Sequence, residues 1–88
     1  MDMDLEQFKS ALKTQIKNEY PNGFLQERIT MGIEKHRKNF REYISLNPKS
    51  NLQEWKEKIE RSVNTETTSP NELLVIGIFL LALDEFNP

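Results

Sequence analysis

The sequence predicts an all-α protein, a compact antiparallel four-helix bundle in which three amphipathic helices pack on an apolar C-terminal helix. Apolar residues recur at three- and four-residue intervals along most of the chain, the period of one helix face. Turn chemistry gathers at "YPNGF" (20–24), "NPKSN" (47–51) and "NTETTSP" (64–70), dividing the chain into four segments. The one segment that could be read as a buried strand, the fourth, has no second strand to pair with. Its 88 residues are expected to form a single domain, residues 1–88, with one modest core.

In the first segment Leu5, Phe8, Leu12 and Ile16 form one face, while Glu6, Lys9, Lys13 and Lys17 lie opposite. Asp4 is placed to cap it, with Gln7 in capping-box register, and Pro21 with Gly23 ends it. The second segment, about Phe24 to Leu46, turns Leu25, Ile29, Ile33, His36 and Phe40 inward. Its far side carries Glu27, Arg28, Glu34, Lys35, Lys38, Arg41 and Glu42, with Glu34–Lys38 set for an i,i+4 pair. Asn47-Pro48 stops it, because a residue before proline is pushed out of the helical region. The third segment is short: Ser50 or Asn51 caps it, and Leu52, Trp55, Ile59 and Val63 face inward.

The fourth segment, "NELLVIGIFLLALDEF" (71–86), has no polar side chain between Leu73 and Leu83. Ser69-Pro70-Asn71-Glu72 supplies a capping serine, a proline at the first helical position and a glutamate at the third, so a helix is expected. At about 100° per residue, Ile76, Phe79, Leu83 and Phe86 share one side, which reads as core. Leu74, Ile78 and Leu81 fall opposite, flanked by Asn71 and Glu85. Either the other helices surround this one and both stripes are core, or Leu74, Ile78 and Leu81 form an exposed patch that docks a partner or a second copy of the chain. Asp84 and Glu85 stand in the last turn, against the helix dipole; they are expected to be solvated, or to meet a partner or the Lys9–Lys13–Lys17 row.

Charge and composition bound the function. A net charge of −2 and a pI near 5.4 give no basic footprint for nucleic acid, although Lys35, Lys38 and Arg41 with Lys9, Lys13 and Lys17 could track a phosphate backbone if their faces adjoin. Without cysteine, disulfides and thiolate metal sites are excluded. The acidic start, MDMD, does not read as a secretory signal, and the apolar run at 73–83 is about half the length of a membrane span, so a soluble cytoplasmic chain is expected. His36, the only histidine, lies on an apolar stripe and reads as a packing residue. There is no Ser/His/Asp arrangement, paired Glu-x-x-His or glycine-rich phosphate loop, so neither catalysis, metal nor cofactor is expected. The expected function is a small regulator, inhibitor or adaptor that works by burying aliphatic surface on a protein partner or in a homodimer. The alternatives are a nucleic-acid-binding regulator and a structural subunit of a larger assembly.

Overall fold

Four helices follow one another: α1 (Leu5–Glu19), α2 (Phe24–Leu46), α3 (Leu52–Ser62) and α4 (Pro70–Glu85). The structure, a computed structural model, describes residues 4–63, 66 and 69–88. Residues 1–3 of the acidic start and positions 64, 65, 67 and 68 of the third turn lie outside them. Among the described residues there is no strand, and no helix is long and apolar enough to cross a membrane.

Each boundary has a local cause. The Asp4 carboxylate accepts the Gln7 N–H at 2.8 Å at the start of α1. Ser69 caps α4 by accepting the Glu72 N–H, with Pro70 as the first helical residue. Asn51, not Ser50, caps α3, taking the Glu54 N–H at 2.8 Å. Ser50 instead donates its hydroxyl to Glu54 Oε2 at 2.9 Å and lies 2.9 Å from the Tyr43 hydroxyl, tying the α2–α3 turn together. Only α2 starts without a side-chain cap; Gly23 turns the chain at φ 90°, where an L side chain would be strained.

α1 runs against α4, with Lys9 meeting Asp84 and Leu12 meeting Gly77, but α2 and α4 are not held apart as a diagonal pair. They make the most extensive contact in the molecule. They run the same way, with Met31 beside Val75 at one end and Phe40 beside Phe86 at the other. α1 lies along both, and α3 covers the far end of the pair. The result is a slab, 41 × 31 × 18 Å.

The sequence permits this closure at two glycines. A Cβ on Gly32 of α2 would sit 2.6 Å from the Cβ of Ala82 on α4, so the two backbones meet with almost nothing between them. On another side of α4, Gly77 receives Leu12 of α1, into which a Cβ would run. Around the first contact Leu12, Ile16, Ile29, Leu81 and Ala82 form one core cluster. Trp55, Leu83 and Phe86 form a second beneath α3. The expected Glu34–Lys38 pair is replaced by Glu34–Arg37, three residues apart on the same face.

Gly32→Ala tests the seam. Helix propensity alone would favour alanine by about 1 kcal/mol. Overpacking against Ala82, a side chain that has no rotamer to retreat into, reverses the sign and gives a net loss of roughly 1–2 kcal/mol in chemical denaturation. Adding Ala82→Gly reopens the space, so the double variant is expected to be more stable than Gly32→Ala alone; a neutral or stabilising single substitution would refute the close contact.

Candidate functional site

The aliphatic stripe expected to face outward is displaced. Leu81 is 2% exposed and packs with Leu12, Ile16 and Ile29, so it is core. Leu74 and Ile78 are half-buried against the same cluster. The cause is α1, which settles on this side of α4 because Gly77 leaves room for Leu12. The aliphatic residue that α4 does leave in water is Val75, 68% exposed.

Val75 is not isolated. Met31 of α2, 56% exposed, stands across from it, and the half-buried Ile78 and Phe79 lie between them over the Gly32 backbone. Arg28 and Lys35, seven residues apart and both exposed, border this groove on the α2 side. Neither Arg28 nor Lys35 forms an ion pair with a described acid. Arg28 lies over the Phe24 ring, 5.3 Å from its centroid. The groove is open and encloses about 240 Å³, below the range of ~300–1,000 Å³ usual for small-molecule sites.

Met31, Val75 and Arg28 were not among the expected site residues, yet two of them leave a trace in the sequence. Met31 is an apolar residue on the charged side of α2, between Arg28 and Lys35. Val75 falls between the two stripes drawn on α4, so a two-sided reading of that helix passes over it.

Of the basic residues of the nucleic-acid alternative, Lys9 leaves the surface. Lys9 is 5% exposed, and its ammonium donates to Asp84 at 2.8 and 3.0 Å and pairs with Glu6 at 3.0 Å. Burial acts to lower the Lys9 pKa, but the hydrogen bonds and charges of Asp84 and then Glu6 outweigh it and leave the pKa above the ordinary 10.5. Lys13 and Lys17 of α1, and Lys35, Lys38 and Arg41 of α2, remain exposed. Asp84 therefore meets the helix-one row through Lys9, while Glu85 stays in water. The end of α4 gains a second cation, as Lys56 of α3 donates to the Phe86 carbonyl at 2.9 Å. Two ammonium groups thus offset two carboxylates placed against the dipole.

His36 is fully buried, as a packing residue on the apolar stripe. Nε2 lies 2.8 Å from the Phe79 carbonyl, which only accepts, so Nε2 carries the proton and donates. Nδ1 is then an unprotonated nitrogen with no partner. The ring stacks on Phe79 at 4.0 Å and meets Trp55 edge-on at 5.5 Å. Desolvation pushes its pKa below 6.5, the Phe79 carbonyl acts the other way, and the Lys56 charge adds to the lowering. No group of three His, Cys, Asp or Glu among the described residues is placed to hold a metal ion.

Both buried groups give measurable expectations. Asp84→Asn leaves the buried Lys9 ammonium with the exposed Glu6 as its remaining carboxylate and is expected to cost about 1–3 kcal/mol of stability. Lys9→Met leaves behind Asp84 and Glu6, whose side chains are 46% and 86% exposed, and should cost less; denaturant midpoints that rank the two the other way would contradict the pairing. For His36, the unfolded chain takes up a proton near pH 6.5 and the folded chain resists until lower pH. Stability is therefore full above pH ~6.5 and declines as pH falls through it, approaching ~1.4 kcal/mol per unit until the folded state also titrates. Urea unfolding at pH 7.5 and 5.5 should show this decline in the wild type and not in His36→Gln, since the chain has no other histidine.

In comparisons with known proteins the chain matches no family model, no curated protein and no solved structure.

Proposed function

We propose that the protein is a small non-enzymatic interaction module, a regulator, inhibitor or adaptor, that binds a partner protein through the groove between α2 and α4. One observation carries this reading. Val75 and Met31 are exposed opposite each other above half-buried Ile78 and Phe79, while the rest of the apolar run on α4 is buried or half-buried. A single exposed aliphatic is ordinary, and Leu46 at 81% is such a case. Two that share a groove with a half-buried apolar floor form a continuous surface of the kind interfaces use. A homodimer through this face would be isologous and would set the same basic edge near its own copy, which favours a different protein as the partner. The nucleic-acid alternative is weakened by the withdrawal of Lys9 into the Asp84 pair.

Val75→Glu tests the reading with little structural disturbance, since surface substitutions of this kind usually change stability by no more than about 0.5 kcal/mol. Proteins captured from the native cell by the wild type should be lost from the Val75→Glu sample at equal folded concentration. An unchanged captured set would refute the groove as the docking surface. Wild-type sedimentation across a hundredfold concentration range should stay monomeric; a Val75-dependent dimer would assign the face to a second copy instead.

A further inference from the structure

Resting on that reading, we infer that the occupant of the groove is an amphipathic helix whose apolar stripe is flanked by carboxylates. The first part follows from backbone hydrogen bonding. Among the described residues there is no strand, hence no sheet edge to which an extended peptide could add. A helix satisfies its own N–H and C=O groups and needs only side-chain contacts from its receptor, which is what the furrow between two same-direction helices supplies.

The dimensions fit a short segment. Arg28 to Lys35 spans about 10 Å along α2, matching about two turns of a partner helix. Anchors at i, i+3 or i+4, and i+7 would then reach the surface formed by Met31, Val75 and Ile78. Met31 suits such a contact, because an unbranched thioether adapts its shape to what it meets.

The charge of the flanks is read from the rim. Arg28 and Lys35 line the groove with no acidic partner among the described residues, and Glu34, the nearest candidate in sequence to Lys35, is engaged by Arg37. These cations stand on a chain whose net charge is −2, so the molecule as a whole offers no long-range attraction to a polyanion. A local positive edge on such a chain selects a ligand with local negative charge beside apolar anchors, rather than a phosphate backbone or an anionic bilayer.

The probe is a displayed library of helical peptides with apolar residues fixed at the anchor positions and Asp, Glu, Lys, Arg or Ser allowed at the flanking ones. It is selected on the wild-type chain and counter-selected on Val75→Glu. The expected outcome is enrichment of Asp and Glu at the flanks. A synthetic peptide of the enriched class should bind in fluorescence anisotropy, weaken between 50 and 200 mM salt, and lose about tenfold in affinity to the Arg28→Glu/Lys35→Glu double variant. A charge-inverted peptide should gain on that variant. Val75-dependent enrichment with no acidic bias would overturn the inference while leaving the docking surface intact. Absence of any Val75-dependent enrichment would overturn the helix inference, and the capture experiment would then decide the docking surface separately. Binding to phosphatidylserine vesicles or to mixed-sequence duplex DNA, with no peptide enriched, would also overturn it and would assign the basic edge to that anion.

Discussion

The contact between Gly32 and Ala82 sets the geometry of the whole molecule. In a regular antiparallel bundle the second and fourth helices lie on a diagonal and the core fills the space between them. Here the diagonal is closed, because one helix contributes no side chain and the other only a methyl group at the crossing. Once α2 and α4 touch, α1 packs along the pair and α3 over its far end, with Ile33 lying against both clusters. The 2.8 Å bond from His36 of α2 to the Phe79 carbonyl of α4 spans the same close seam.

The same closure explains why α4 is apolar on every side. Leu80 to Leu83 are buried on every side: Leu81 and Ala82 pack with α1 and α2, Leu83 and the capping Phe86 with α3 and its aromatic neighbours. Polar side chains enter only at the end, where Asp84 fixes Lys9 and the Phe86 carbonyl takes Lys56. The N-terminal half is less enclosed, because α3 reaches only the other end of the slab. Val75 is therefore exposed by the arrangement of the helices, not by a polar stripe on its own helix.

Element positions were readable because their signals are local. Asp4, Asn51, Ser69 and the Pro21 and Pro48 turns act within a few residues of themselves, and the helix periodicity follows from one buried face per helix. What lay beyond reach was which side of α4 each neighbour would take. Leu74, Ile78 and Leu81 form a true stripe, but whether it meets water depends on where α1 lands, and that is decided by Gly77 accepting Leu12. Lys9 shows the same limit: in sequence it belongs to a solvent-facing row with Lys13 and Lys17, and only the arrival of Asp84, 75 residues away, makes it an interior group. The available clue was glycine itself. Gly32 and Gly77 sit in helix interiors where alanine would be better by about 1 kcal/mol, so each marks a place where another chain segment comes too close for a Cβ.

A chain of 88 residues buries a smaller share of its surface than a larger domain, and its stability is correspondingly narrow. Under that constraint an aliphatic side chain left in water forgoes stabilisation of roughly 1.5–3 kcal/mol that burial would provide. α2 and α4 meet backbone to backbone at Gly32 and Ala82, and Val75 and Met31 stand exposed beside that seam. The exposed groove is thus a direct consequence of the contact that holds the fold together. Its floor is rigid for the same reason, since Phe79 is fixed by stacking on His36 and Ile78 by the core beneath it. A partner that docks there meets a surface already ordered by folding, so the side chains it must still immobilise are chiefly Met31, Arg28 and Lys35, the flexible ones that suit adaptation to a ligand.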